Sequence, residues 1–384
     1  MALDFSLTPE QEAMRDGCRK FAEKEISPGA LERDIEGKFH IEGFKKCGEF
    51  GLLGLPFPTE YGGGGADIIT FMAAMEGFGW GCRDRGFNLS LGAHIVICTV
   101  PIWIFGTEEQ KKKYLPKLCS GEWIGAFALT EPNAGSDVQN IQTTAVKKGN
   151  KWILNGTKMF ITNGPYSNVN VVFATVDKAK RGGGITAFIV ENTFKGFNVG
   201  KKLDKMGMRS SPTSELIFED CEVPEENLLG KEGQGFLVAM ETLGWERSTM
   251  TAVAIGGFEK LLAKSVQYAQ ERVQFGKPIG KFQEIQHKIA NIKCAVEIAR
   301  LLIYKCAWQK SKGINDMVFA SITKLTVSEL GVRNALDAIQ IHGGYGYMRE
   351  FEVERGLRDA VLGTLGGGTS EIQRGIISRS LLKM

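Results

Sequence analysis

Five short stretches of this chain hold residue types suited to binding a flat or anionic ligand. In "GAFALTEPNAGSD" (125–137) a strand-like run breaks into a Pro, Asn and Gly turn, with Thr130, Ser136 and backbone N–H groups at its end. Such a turn can cradle an anion or the polar edge of a planar ring. It can equally be an ordinary β-turn in which Asn and Gly supply the φ angles. "KMFITNG" (158–164) ends a second run on Phe160 and Thr162. An aromatic there can pack on a flat cofactor and a hydroxyl can bond its edge; the alternative is a core Phe before a hairpin turn. "ERVQFGKPIGKFQ" (271–283) offers Arg272 and Gln283 to phosphate or amide edges, or is a solvated link between helices. "IQIHGGYGY" (339–347) ends a helix at paired glycines, which permit close ligand approach or simply cap the helix. "GTLGGGTSEIQ" (363–373) sets three glycines before Thr-Ser-Glu, the loosest backbone available. A dinucleotide fold of the Rossmann type is disfavoured, because no G-x-G-x-x-G follows a strand.

These stretches need elements to hold them, and the 384 residues are enough for more than one packed layer. Residues 1–118 read as helices. Thr8 with Gln11, and Thr107 with Gln110, have capping-box spacing, and Pro9 suits a first turn. From 119 to 228 the period shifts toward two, with β-branched and aromatic runs split by turns, as in an antiparallel β domain. From 229 to 384 helical spacing returns. Val318, Ile322, Leu325, Val332, Leu336 and Ile339 fall on one helix face. The expected fold class is α+β: an N-terminal all-α domain, a middle antiparallel β domain and a C-terminal four-helix bundle.

Composition excludes several functions. A net charge of +3 is too small to argue for nucleic acid or an anionic membrane. No stretch of eighteen consecutive apolar residues is found, so no membrane span is expected. Eight scattered cysteines, without C-x-x-C, suit buried thiols in a reducing cytoplasm. Four dispersed His give no metal site.

Taken in order, together with "KMGMRSSPTSELIFEDCEVPEENLLGKEGQGF" (205–236), these stretches resemble the acyl-CoA dehydrogenase family from "LTPEQ" to "SRSLL". The resemblance implies one FAD per subunit, a homotetramer or homodimer, and α,β-dehydrogenation of an acyl thioester. It implies that Phe127, Leu129, Thr130 and Ser136 line the flavin, with Ser136 also near the acyl thioester. It places Phe160, Ile161 and Thr162 beside the flavin, Phe standing where Trp is commoner. Arg272, Phe275, Gln283 and the segment from Gln340 through Gly343 and Gly344 would reach the FAD of a neighbouring subunit. Thr369 and Glu371 would contact the adenine end of the subunit's own FAD.

The family's usual base is the Glu of Tyr-Glu-Gly-Thr-Ser/Asn, and here that register reads Gly366-Gly367-Gly368-Thr369-Ser370. A minority, including isovaleryl-CoA and long-chain acyl-CoA dehydrogenases, carries the base earlier, as Glu-Arg. "METLGWERSTM" (240–250) has Glu246 and Arg247 in that register. Glu246 is therefore the expected base, Trp245 and Arg247 line the substrate, and the Gly367 N–H donates to the thioester carbonyl. Removing the usual carboxylate spares Glu246 a like charge. Glu371 is not a substitute. The expected substrate is a short or branched acyl-CoA, with an acyl-carrier-protein thioester, an oxidase or an enoyl-thioester reductase as alternatives. Electron-transferring flavoprotein is the expected acceptor.

Overall fold

The computed structural model describes residues 5–383. The N-terminal helices are α1 (Pro9–Phe21), α2 (Ala30–Glu36), α3 (Ile41–Glu49), α4 (Ile68–Gly81), α5 (Arg85–Gly92), α6 (Val100–Phe105) and α7 (Glu108–Ser120). Thr8 and Thr107 both close capping boxes, with Gln11 and Gln110 returning to the cap N–H groups. Between α5 and α6 the backbone runs on as a π-helix, Ala93–Thr99. The 21-residue helical run Arg85–Phe105 contains an 18-residue stretch of mean hydropathy 1.7, long and apolar enough to cross a membrane. Asn, Ser, His and Thr interrupt its apolar residues, and 78% of that stretch is buried within the chain, as in a core helix.

Eight strands follow: β1 (Gly125–Ala128), β2 (Thr144–Lys148), β3 (Lys151–Thr162), β4 (Val169–Thr175), β5 (Ile185–Glu191), β6 (Phe197–Lys202), β7 (Thr213–Pro224) and β8 (Leu228–Leu229). They form one sheet in the order β6-β7-β3-β2-β4-β5-β8, with β1 on β4. The sheet is mixed rather than wholly antiparallel. β1 and β2 both run parallel to β4; for β2 the reason is two reversals, one in the β2–β3 hairpin and one between β3 and β4. Phe173, Ile185 and Ile189 join the helices Tyr114 and Leu118 come from on one side. Trp152, Phe188 and Phe218 fill a second core on the other.

The last part is helical: α8 (Gly235–Trp245), α9 (Ala252–Glu271), α10 (Gln283–Ser311), α11 (Met317–His342), the short α12 (Gly344–Tyr347), α13 (Val353–Gly363) and α14 (Ser370–Leu382). A small hairpin, β9 (Val273–Gln274) and β10 (Lys277–Pro278), joins α9 to α10. α9, α10, α11 and α13 pack as a bundle, and α4 lies along α9. The apolar row predicted on α11 shares one half-buried face: Val318, Ile322, Leu325, Val332 and Ile339 are partly covered, Ile339 against the Leu261 and Val353 cluster, and Leu336 is 48% exposed. Ala320, Val327, Ala335, Ala338 and Ile341 are buried on the inner side, where small residues let neighbouring helices approach.

Candidate active site

α8 widens at its end into a π-helical turn, Glu246–Met250. Turns of this kind re-aim side chains and are frequent at functional sites. The turn presents Glu246 to the glycine loop between α13 and α14. A Cβ built on Gly367 would lie 2.9 Å from Glu246 Oε1 and 3.0 Å from its Cδ. The two positions that the sequence singled out therefore meet, and any side chain at 367 would have to push the Glu246 carboxylate aside. The Glu246 carboxylate forms no hydrogen bond or ion pair with any other described residue. Burial raises its proton affinity above the ordinary 4.5, and the charges of Arg247 and Lys324 offset part of that rise.

The loop itself is held from behind. Buried Arg247 donates from Nε to the Gly367 carbonyl at 3.1 Å. Gln373 on α14 donates to the Gly367 carbonyl at 3.1 Å and to that of Gly368 at 2.9 Å. Lys324 on α11 donates to the Gly368 carbonyl at 2.7 Å. Thr369 caps α14 through Ile372 N–H, and Glu371 is exposed in its first turn. Trp245 lies edge-to-face on Trp103, with centroids 6.1 Å apart, under the Lys310 ammonium at 4.4 Å. It lines the wall next to Glu246 in sequence rather than a free surface.

The second part of the site joins the end of β1 to the end of β3. The Met159 N–H donates to the Thr130 carbonyl at 2.8 Å. β3 carries a bulge against β7, since Lys158 pairs with Leu216 but Ile161 with Ser214. Phe160 sits in that bulge at φ +62° and is 65% exposed. A strained aromatic turned outward by a bulge costs energy that packing does not return in this chain. Ile161 points the other way, into the sheet core, so only its backbone is free for a ligand. The hydroxyls of Thr130, Ser136 and Thr162 form no hydrogen bond with any other described residue. Phe127 lies half-buried against Phe173, 4.9 Å between centroids. Leu129 is buried, and its carbonyl accepts from Lys158 Nζ at 3.1 Å. An outward aromatic face and unpaired hydroxyls at one strand end fit the flat ring and polar edge of a flavin.

Beneath this turn lies a pair that sequence reasoning missed. Lys158 is fully buried and donates to Glu131 Oε1 at 2.7 Å. Glu131 also accepts from the N–H groups of Gln142 and Thr143. Burial alone would raise the Glu131 carboxyl, but the Lys158 charge and these hydrogen bonds hold it below its ordinary value. β1 is tied further by His94, whose Nδ1 accepts from Gly125 N–H at 2.9 Å. Burial pulls that imidazole down to about 4, so it stays neutral. Neither pair has a local sequence signature. Lys324 does have one: it is a charged residue in phase with the inward positions Ala320 and Val327.

A third group forms a separate outer patch. The Arg272 guanidinium lies over the Tyr345 ring at 5.3 Å, beside Gly343 and Gly344. Phe275 has φ +52° and is 91% exposed, its ring edge-on to Phe282 at 5.9 Å. Gln283 and Gln340 are exposed, and a Cβ on Gly343 or Gly344 would meet nothing within 4 Å. Among the described residues, no hydrogen bond or ring contact joins this patch to Glu246 or Phe160.

Three stretches match domain descriptions of a single family. Residues 8–122 match "Acyl-CoA dehydrogenase, N-terminal domain", 126–221 the middle domain and 233–382 the C-terminal domain. The short-chain-specific acyl-CoA dehydrogenase of Clostridium acetobutylicum is 44% identical over 381 residues, covering 99% of this chain and 100% of that one. The solved butyryl-CoA dehydrogenase of Megasphaera elsdenii has a TM-score of 0.95 and 43% identity, over 99% of this chain and 100% of that one. The solved prolyl acyl carrier protein oxidase AnaB has a TM-score of 0.96 and 42% identity, over 98% and 100%.

Proposed function

The chain belongs to the acyl-CoA dehydrogenase family of FAD-dependent oxidoreductases, and on that premise we propose that Glu246 takes the α proton when a short or branched acyl-CoA is oxidised to the trans-2-enoyl-CoA. The observation that carries this assignment is the 2.9 Å between Glu246 Oε1 and the Cβ position of Gly367. The carboxylate stands where a side chain from the loop would otherwise point. Among the described residues it has no ion-pair partner, so its lone pairs are free, and burial strengthens it as a base.

FAD, when bound, supplies the acceptor for the hydride that leaves the β carbon. Thr130 and Thr162 would hold its ring edge, Phe160 its face, and Ser136 would bond its diphosphate. Thr369 and Glu371 would face the adenine end. The α proton goes to a Glu246 oxygen, and the C–H electron pair becomes the new double bond as the β hydride departs. The Gly367 N–H, unpaired among the described residues, donates to the thioester carbonyl as charge builds there. Arg247 and Trp245 border the substrate.

Arg272, Phe275, Gln283, Gln340, Gly343 and Gly344 would serve the FAD of a neighbouring copy, which suits their distance in bonding from Glu246. The outward row on α11, with Ile298 and Leu301 exposed on α10, suits burial in a homodimer or homotetramer. Eight free thiols suit a reducing compartment such as the cytoplasm. Electron-transferring flavoprotein is the proposed acceptor.

A second reading, an acyl-carrier-protein thioester as substrate, is favoured by the likeness to AnaB. One experiment separates the two. The protein is mixed anaerobically with saturated acyl-CoAs of several lengths and branches, and the visible flavin band is followed. Bleaching by a short or branched acyl-CoA, lost in Glu246→Gln, is the expected result. A flavin bleached only by carrier-bound acyl groups would replace the CoA reading, and a Glu246→Gln protein with near-normal bleaching would refute the base.

A further inference from the structure

The loop opposite Glu246 has no side chains with which to hold itself. Gly367 and Gly368 have φ +65° and +94°, and Gly366 precedes them. Three adjacent glycines lose more backbone freedom on ordering than any other tripeptide. The order is imposed from outside by donors on three elements. Arg247 and Gln373 bind the Gly367 carbonyl, and Gln373 and Lys324 bind that of Gly368. The N–H groups of Gly367 and Gly368 form no hydrogen bond with any other described residue. The carbonyls of Gly367 and Gly368 are therefore used for anchoring while their N–H groups are left for a ligand; the Gly366 N–H closes back on the Leu362 carbonyl.

Lys324 is the anchor that stands out. Only 6% of it is exposed, and a buried ammonium needs strong compensation. Its single hydrogen bond is to the Gly368 carbonyl, at 2.7 Å. Resting on the reading of Glu246 as the base, we propose that Lys324 is a positioning residue for the α-proton transfer. Through the Gly368 carbonyl it fixes the loop that presents the Gly367 N–H opposite Glu246.

The charged groups acting on it are Glu246 and Arg247 from the π turn, Glu371 from α14 and Glu329 from α11 itself; among the described residues, α9, α10 and α13, which also pack on α11, place none there. Burial brings its ammonium down to about 8, against the pull of Glu246. Below that pH the anchor is charged and tight. As pH rises through it, the contact loses its charge assistance and the loop slackens. The rate should therefore fall on the alkaline side with Lys324 as the titrating group.

The test uses FAD-loaded Lys324→Met and Lys324→Arg, with anaerobic flavin bleaching by whichever acyl-CoA bleaches the natural enzyme fastest. Rates are measured from about pH 5 to about pH 10. The Met protein should bleach about 100-fold slower at neutral pH, with acyl-CoA affinity within about twofold and an unchanged flavin spectrum. Its alkaline limb should vanish. The Arg protein, with a cation that does not titrate in this range, should recover most of the rate and also lack the limb. A Met protein with the natural rate and limb overturns the proposal. Should the Met protein fail to hold FAD, a folded Arg protein that keeps a limb near 8 overturns it instead. Glu246→Gln is run alongside. Near-normal bleaching there sinks the base reading itself, whereas a dead Gln protein beside a normal Met protein sinks only the role of Lys324.

Discussion

Glu131 and Glu246 are the same residue type, the first buried and the second half-buried, and their neighbours differ. Glu131 has the Lys158 ammonium at 2.7 Å and two backbone N–H donors. Glu246 has a glycine backbone in front of it and no partner. The first is held ionised below its ordinary value and the second is pushed above it. Burial sets the stakes in both places, and the neighbours decide the outcome. A paired carboxylate is a fastener, since its lone pairs are spent. An unpaired one stores desolvation cost and can spend it on a proton from substrate.

That contrast can be broken from either end. The largest effect is expected in turnover: Glu246→Gln keeps shape and hydrogen-bonding size but should slow flavin bleaching by about 100- to 10,000-fold. Its unfolding free energy should stay level or rise, because a desolvated charge has been removed. Next comes Lys158→Met, which strands Glu131 as a buried lone charge. Urea unfolding should show a loss of about 3–5 kcal/mol, together with weaker FAD retention, because the turn bearing Leu129 and Thr130 loses its tie. A Lys158→Met protein as stable as the parent would mean that Glu131 takes up a proton at no cost.

Gly367→Ala tests the clearance. The left-handed φ alone should cost about 1–2 kcal/mol, and the new methyl must push the Glu246 carboxylate aside, slowing bleaching about tenfold. Moving the base to the loop, with Gly367→Glu in a Glu246→Gly protein, should restore part of the activity lost in Glu246→Gly alone. The smallest effect is the pH dependence of stability. Glu246 binds its proton more tightly folded than unfolded, so its contribution to stability falls as pH rises from about 4.5 toward its raised value. Glu131 binds its proton less tightly folded, so its contribution is present above the ordinary carboxylate value and is lost as pH falls. Urea midpoints at acidic and neutral pH should shift in opposite directions for Glu246→Gln and Glu131→Gln, relative to the natural chain.

Much of this was readable before the structure. The capping boxes at Thr8 and Thr107 are local, and local signals survive folding. The meeting of Glu246 with Gly367 was expected from a vacancy in one stretch and an acid in another, because each matched a position in the same resemblance. Two things were hidden for physical reasons. The pairing of Glu131 with Lys158 spans 27 residues and involves types usually found in water. The bulge that turns Phe160 outward depends on the register of β3 against β7, which no single strand encodes. The α11 row lies on one helix face as its spacing indicated, but periodicity finds an apolar face without saying whether it meets its own chain or another.

The clearance at Gly367 also limits what the two positions can hold together. Carboxylates at both positions would crowd two like charges into one spot, and one would stay protonated. A chain with acids on both loop and helix would therefore carry one idle acid and gain no second base, and the glycine at 367 leaves the spot to a single carboxylate.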